Sequence, residues 1–213
     1  MTRTRRSASL FDRWSVSYDS PGLQLLTYRP IHDAVLARLR ETEPSTVVDL
    51  GCGTGQLTKR LIGRFPDAAV VGVDLSDGML SEAADRLEDV GRDACALVQA
   101  DAQHLPFAAS SVDVVVCTES FHWYPDQARA ATDLATVLRP GGRLLIASIA
   151  TLTDFGDRVL RGASSAGGTT VRALPPRRVR ALLDQSGFEV LAQHRIPRMG
   201  LAAWPVLTDA RRL

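Results

Sequence analysis

Three glycines at alternate positions follow a short apolar run early in the chain. Gly51, Gly53 and Gly55 come directly after the run TVVDL at 46–50. Glycines at this spacing accept a positive φ and let a ligand lie against the main chain without meeting a Cβ. If a helix begins at Gly55 or Gln56, its free N–H groups and positive dipole end face the same ligand. The pattern predicts a nucleotide-binding loop.

The kind of nucleotide depends on the third glycine and on an acid further along the chain. A dinucleotide loop has the spacing GxGxxG, whereas the third glycine comes one residue early here and Gln56 follows it. Asp74 ends the next apolar run and is placed to accept hydrogen bonds from two ribose hydroxyls. An acid at this position fits any adenosine-type ligand. The alternative is that Asp74 serves only as a cap or turn residue before Ser76.

Polar residues that could act on a second substrate follow a later apolar run, VDVVVC at 112–117. His122 is the candidate general base, because histidine titrates near neutral pH. Its alternative role is to form a wall of the pocket. Glu119 is a second candidate, which would orient a substrate or an ammonium group. Trp123 and Tyr124 are predicted to line the pocket.

Alternating strands and helices position these residues. The predicted strands are 46–50, 69–74, 94–99, 112–117, 143–149, 188–196 and 204–211, and the predicted helices are 32–40, 56–64, 77–89, 126–138 and 177–185. The alternation predicts a parallel sheet with right-handed crossovers. Residues 139–142 are predicted to form a hairpin-like turn. The glycine-, serine- and threonine-rich stretch 151–176 is predicted to be a connection or a short mobile lid.

Five segments together resemble the class I S-adenosylmethionine-dependent methyltransferases, in particular the small-molecule type 11 or 25 branch. They are VVDLGCGTGQLT, VVGVDLSDGML, VQADAQHLPF, VDVVVCTESFHWY and LRPGGRLLIA. The resemblance covers Phe11 to Ile149 clearly and Pro175 to Arg212 loosely. It implies an α/β, Rossmann-like, doubly wound fold with a mostly parallel seven-stranded sheet. The implied strand order is 3-2-1-4-5-7-6, with the last strand antiparallel and helices on both faces.

The resemblance also implies how S-adenosylmethionine, and its product S-adenosylhomocysteine, would be held. Asp49 matches the acid that orders the glycine loop and reaches the methionine ammonium, and Asp74 matches the acid that binds the ribose diol. The remaining matches are Gly51, Gly53 and Gly55 against methionine and ribose, Leu75 and Met79 beside the adenine, Asp101 and Ala102 at the adenine amino group, Thr118 where the backbone contacts the methionine portion, and Tyr18 closing over the cofactor.

The predicted reaction is methyl transfer to a small, partly apolar molecule, with O- or C-methylation favoured. TESFHW stands where amino-methylating nucleic-acid enzymes carry a planar-nitrogen motif, and no basic tract with interleaved aromatics is present. A net charge of +1 likewise gives no reason to expect a nucleic-acid partner. The alternative is a cofactor-binding accessory or regulatory protein without transferase activity. An NAD-dependent oxidoreductase is disfavoured by the loop spacing.

Length and composition predict one soluble domain of 213 residues. Its expected parts are an N-terminal helical cap at 1–44, a cofactor-binding core at 45–149, the lid at 150–176, and a closing helix and strand pair at 177–213. The sequence has no signal-peptide pattern and no apolar run of about 18 residues, so a cytoplasmic protein without membrane insertion is expected. Three distant cysteines predict neither a disulfide framework nor a metal site. The oligomeric state stays open, a homodimer included.

Overall fold

The structure is a computed structural model that describes residues 28–90, 95–166, 170–197 and 205–213. Its strands are β1 (Thr46–Leu50), β2 (Ala69–Asp74), β3 (Cys95–Gln99), β4 (Val112–Thr118), β5 (Leu138–Ile149), β6 (Phe188–Arg195) and β7 (Pro205–Arg212). Its helices are α1 (Arg29–Arg38), α2 (Gln56–Arg64), α3 (Asp77–Leu87), α4 (Gln127–Val137), α5 (Asp154–Ala166) and α6 (Pro176–Gln185). Short 3₁₀ turns lie at Glu88–Val90 and Phe121–Trp123.

The strands form one sheet in the order β3-β2-β1-β4-β5-β7-β6. The first five strands in the chain pair in parallel, while β7 runs antiparallel to both β5 and β6. The predicted fold class and strand order are therefore confirmed. Because β1 lies between β2 and β4, the chain passes to opposite sides of β1 in the two halves, and ligands of open α/β sheets bind at this switch point.

Apolar side chains cover both faces of the sheet. Val48 and Val115 belong to a core cluster that includes residues of α4 and α6. Val47 and Val114 belong to the opposite cluster, which includes residues of α1 and α2. Neighbouring strand residues point to opposite faces, so a run of valines such as that of β4 is what a doubly covered strand requires. The part of the chain that the structure describes contains no helix long and apolar enough to cross a membrane.

Three predicted elements differ from the structure. The predicted loop at 151–176 contains helix α5, which carries an i,i+4 ion pair between Asp157 and Arg161. Strand β5 begins at Leu138, so the predicted turn at 139–142 is an irregularity within a strand, with Gly141 at φ +79°. Helix α1 begins at Arg29, three residues before the prediction, with a proline in its first turn.

Candidate active site

The glycine loop connects β1 to α2 at the carboxyl edge of the sheet. Gly51, Gly53 and Gly55 have φ values of +72°, +54° and +76°, which residues with a Cβ rarely adopt. The main-chain N–H of Gly51 donates to the carbonyl of Val73 at 2.7 Å, and that of Gly53 donates to the Asp74 carboxylate at 2.9 Å. The loop is thus fixed to the end of β2 from its first residues.

The three glycines are required for different reasons. A Cβ on Gly51 would lie 2.4 Å from the side chain of Ser120, and one on Gly55 would lie 3.1 Å from Ala83. A Cβ on Gly53 would have only the Met79 sulfur near it, at 4.0 Å. Packing within the protein therefore explains the absence of a side chain at Gly51 and Gly55. At Gly53 the space is open, as a loop that receives a ligand would need.

Asp74 orders the turn at the end of β2. One carboxylate oxygen accepts from the N–H of Gly53, and the other accepts from the N–H of Ser76 at 2.9 Å. The N-cap of α3 is Ser76, whose hydroxyl accepts from the N–H of Met79. A carboxylate oxygen has two lone pairs, so these bonds leave acceptor capacity for ligand hydroxyls. Asp74 can therefore bind ribose hydroxyls, as predicted, and also order the turn, as in the alternative.

Asp49 is fully buried beneath the loop. One of its oxygens accepts from the Thr58 hydroxyl at 2.7 Å, while Oδ1 has no hydrogen-bond partner among the described residues. Burial raises the pKa of this carboxyl to about 7, against the opposing effect of the Thr58 bond and with a smaller contribution from the Asp74 charge. A buried acceptor without a donor is costly, so this oxygen is suited to a ligand that brings a positive donor.

Residues predicted to surround the adenine lie just after β2 and β3 and in the first turn of α3. Leu75 is half-buried, whereas Met79 and Ala102 are buried. One oxygen of Asp101 accepts from both the main-chain N–H and the side-chain amide of Gln103, at 3.0 and 2.9 Å. These bonds fix the Asp101 carboxylate at the sheet edge.

The segment after β4 returns the chain to the end of β1. Thr118 is half-buried at the end of β4, and Glu119 follows with φ +52°. A non-glycine residue in this conformation costs about 1–2 kcal/mol, and such residues cluster at functional sites. The Glu119 N–H donates to Ala147 at 2.7 Å. The Ser120 hydroxyl donates to the Leu50 carbonyl at 3.1 Å and is 3.0 Å from the Tyr124 hydroxyl, which holds the segment against β1.

His122 lies in the 3₁₀ turn at Phe121–Trp123 and is 3% exposed. Its Nδ1 is 2.9 Å from the Ser148 hydroxyl, and its carbonyl accepts from the main-chain N–H of Arg172 at 2.8 Å. The imidazole is therefore held between the post-β4 segment and the end of β5. This position is compatible with both predicted roles, general base and pocket wall.

A crevice of about 30 Å³ opens between the glycine loop and α1. Its lining includes Gly51, Gly53 and Thr118 from the predicted site, together with Tyr28, the N-cap of α1, and His32 on that helix. The sequence analysis did not assign Tyr28 or His32 to the site. Tyr28, His32, Val35 and Leu39 follow one another at spacings of four, three and four, so helical periodicity places them on one face. The predicted Tyr18 lies outside the described residues.

A larger cavity, of about 370 Å³, lies at the amino edge of the sheet. Its three arginines are each paired with a carboxylate: Arg139 with Asp113, Arg143 with Asp209, and Arg211 with Glu189. Ligands of open α/β sheets bind at the carboxyl edge, where the predicted residues meet. We therefore assign the candidate site to the smaller crevice.

The fold and the glycine loop define a Rossmann-like nucleotide-dependent protein. Comparison with known proteins narrows this class to a family. A family model described as a methyltransferase domain matches residues 48–146. A malonyl-[acyl-carrier protein] O-methyltransferase of Geobacter sulfurreducens is 30% identical over 207 residues, which cover 88% of this chain and 72% of the relative. A trans-aconitate 2-methyltransferase of Methylobacterium nodulans is 38% identical over 133 residues, covering 62% and 49%.

The solved structure of an S-adenosylmethionine-dependent methyltransferase from Mesorhizobium loti has the same fold. The TM-score is 0.71 at 23% identity, over 87% of this chain and 99% of that one. The chain spans about half the length of several curated relatives that it matches. It belongs to the S-adenosylmethionine-dependent methyltransferase family, which confirms the resemblance found in the sequence.

Proposed function

We propose that this chain binds S-adenosylmethionine at the carboxyl edge of β1, β2 and β4 and transfers its methyl group to a small, partly apolar molecule. The observation that carries the proposal is the buried Oδ1 of Asp49, which has no partner among the described residues. It lies beside a loop whose middle glycine leaves open space. An ammonium group on the ligand would supply the missing donor.

The arrangement fits an adenosine linked to an amino acid. Asp74, on the β2 side, has acceptor capacity for ribose hydroxyls. Asp49 and Thr118, on the β1 and β4 side, would hold the amino-acid portion. Leu75 and Met79 give an apolar flank for the adenine, and Asp101 with Ala102 would recognise its amino group. When bound, S-adenosylmethionine supplies an electrophilic methyl group on a sulfonium.

Residues 150–176 are the proposed acceptor lid, above a core at 45–149. Leu152, just before helix α5, and Phe155 and Val159, on that helix, are exposed at 73%, 67% and 55%. The segment is bonded to the candidate site, because the N–H of Arg172 donates to the His122 carbonyl. Exposed apolar side chains on this segment favour an acceptor that is partly apolar. The cap at 1–44 and the closing elements at 177–213 complete the proposed single domain.

The acceptor atom that we propose is an oxygen. The relatives named above are methyltransferases of a malonyl group and of trans-aconitate, both of which carry carboxylates. A carboxylate is ionised at neutral pH, so positioning the in-line attack and excluding water would account for most of the rate. A hydroxyl acceptor would have to lose a proton, and His122 is then the proposed base, with Glu119 orienting the acceptor.

Substitution of His122 tests its role. We expect His122→Ala to lower kcat by about 10²-fold or more on a hydroxyl acceptor, without changing cofactor affinity, because general-base catalysis contributes on that order. Ser148→Ala, which removes the bond to Nδ1 and a long bond of 3.5 Å to the Ile149 carbonyl, is the matched control and should have a smaller effect. If His122→Ala turns over at the rate of the unsubstituted protein, His122 only lines the pocket.

Calorimetry with S-adenosylhomocysteine and NAD tests the proposed cofactor. We expect binding of the first and none of the second. A panel of malonyl thioesters, aconitate and hydroxylated aromatics, assayed for methyl transfer, then tests catalysis. Cofactor binding without turnover on any acceptor would favour the accessory-protein alternative. Binding of NAD alone would overturn the proposal.

A further inference from the structure

His32 lies on the first helix in an unusual environment. The residue is 7% exposed and lines the crevice above the glycine loop, together with Tyr28, Gln56 and Thr118. No described residue hydrogen-bonds its imidazole. Most buried polar side chains have a partner, so one without a partner needs an explanation. A position facing a ligand crevice provides one.

The charge state of the imidazole follows from its surroundings. Burial, together with a smaller effect of the Arg60 charge and against the opposing charge of Asp33, lowers the pKa of His32 to about 4. Arg60 is itself ion-paired with Asp33. The imidazole is therefore neutral near pH 7. A neutral imidazole has one N–H donor and one acceptor nitrogen, so it can donate to an anion without a net charge of its own.

Two buried groups that have no hydrogen-bond partner among the described residues therefore occur next to the glycine loop. Asp49 Oδ1 belongs to the strand that leads into the loop, and His32 lines the crevice that the loop bounds. One is a negative acceptor and the other can donate to an anion. The amino-acid end of S-adenosylmethionine carries an ammonium and a carboxylate on the same carbon. The two groups are complementary to these two charges.

Resting on the proposed function, we propose that His32 is a specificity-determining residue that donates a hydrogen bond to the methionine carboxylate of the cofactor. Asp49 receives the ammonium, so the pair recognises the amino acid as a zwitterion. Thr118 and the glycine loop form the remaining walls. The adenosine portion lies toward β2 and does not depend on His32.

Decarboxylated S-adenosylmethionine is the probe, because it lacks only the carboxylate. Affinities for S-adenosylmethionine and for this analogue are measured by calorimetry on the full chain and on His32→Ala. We expect the full chain to prefer S-adenosylmethionine by about tenfold or more, as a hydrogen bond to a charged group implies. In His32→Ala the preference should fall to about twofold or less. If His32→Ala only changed the shape of the crevice, both ligands would bind more weakly and the ratio of their affinities would stay the same.

Two further variants separate the explanations. His32→Gln keeps an amide donor and should restore part of the preference. His194→Ala, on the exposed part of β6, is the matched histidine control and should retain the full preference. An unchanged preference in folded His32→Ala would overturn the inference while leaving the proposed function intact. Failure of the unsubstituted chain to bind S-adenosylmethionine would instead overturn the proposed function.

Discussion

The two edges of the sheet differ in how their polar groups are satisfied. At the amino edge, a cavity of about 370 Å³ is lined by Arg139, Arg143 and Arg211, and each guanidinium is ion-paired with a carboxylate. At the carboxyl edge, a crevice of about 30 Å³ is bounded by the glycine loop that follows Asp49 and is lined by His32. Neither Asp49 Oδ1 nor the imidazole of His32 has a hydrogen-bond partner among the described residues. Polar groups that lack a hydrogen-bond partner among the described residues are therefore found at the smaller crevice, whereas the arginines of the larger cavity are all ion-paired.

The two edges also show the difference between a carboxylate that stabilises the fold and one that is suited to bind a ligand. Asp113 accepts from the N–H groups of Ser45 and Thr46, at 2.6 and 2.9 Å, and also pairs with Arg139. Its bonds join the start of β1 to the start of β5. The Asp49 carboxylate is bonded to Thr58, and its Oδ1 is buried with no hydrogen-bond partner among the described residues. Leaving a buried acceptor without a hydrogen bond costs about 1–3 kcal/mol. Such an acceptor therefore marks a binding site better than the size of a cavity does.

The largest expected effect comes from adding a side chain to the glycine loop. Gly53→Val should weaken S-adenosylhomocysteine binding by about 100-fold or more, because the side chain would fill space proposed for the ligand. Gly141→Val, at the amino edge, is the matched control, since Gly141 also has positive φ and no atom within 4 Å of a Cβ. Both variants should lose about 1–2 kcal/mol of unfolding free energy from the left-handed conformation.

Calorimetry and denaturant unfolding on both glycine variants measure these effects. If Gly53→Val and Gly141→Val lost equal affinity for S-adenosylhomocysteine, the assignment of the ligand to the carboxyl edge would be wrong. Normal binding by Gly53→Val would mean that the loop does not contact a ligand.

An intermediate effect is expected from carboxylates that fix the main chain at each edge. Asp74→Ala should weaken S-adenosylhomocysteine binding by about 1–3 kcal/mol, through loss of charge-assisted bonds to the ribose hydroxyls. Asp113→Ala removes a carboxylate that likewise accepts from two main-chain N–H groups. It should lower the free energy of unfolding without changing affinity. Unchanged affinity in Asp74→Ala would place Asp74 outside the cofactor site.

Cofactor affinity is expected to change gradually with pH. Asp49 must be ionised to receive an ammonium, and its pKa in the free protein is about 7. Cofactor affinity should therefore fall about tenfold for each pH unit below about 7, with proton release on binding. Asp49→Asn, which keeps an acceptor for Thr58, should bind weakly and with little pH dependence. Calorimetry across this range measures both, and a flat profile in the unsubstituted chain would exclude Asp49 as the ammonium contact.

The same pKa has a consequence for the stability of the free protein. The folded state holds a proton on Asp49 at pH values where the unfolded residue, with its ordinary value of 3.8, has released it. The contribution of Asp49 to the free energy of unfolding is therefore largest below about pH 4. It decreases as the pH rises to about 7 and is constant above that.

Most of the fold could be predicted from the sequence, because the central strands β1, β2 and β4 are rich in valine and have a glycine or an acid at or just after their ends. Strand β2 and helix α2 have the predicted bounds. Helix α5 was missed, since the glycine, serine and threonine content around 162–170 indicates a loop. Its ion pair between Asp157 and Arg161 stabilises a helix only once the helix has formed.

The site was predicted in part. Glycines and acids at strand ends have few other roles, so Asp49 and Asp74 were identified from position. His32 was not, because a single histidine on the apolar face of a helix is ordinarily a core residue. Only the packing of α1 across the sheet edge brings His32 to the glycine loop, which no local pattern specifies.

The central claim is that the ligand binds at the carboxyl edge and not in the larger cavity. Amide NMR of the labelled protein, titrated with S-adenosylhomocysteine, tests it most directly. We expect chemical-shift changes at 51–55, 74–79, 118–120 and 28–32, with none at Arg139, Gly141 or Arg211. Changes at those three residues, with none in the glycine loop, would contradict the assignment.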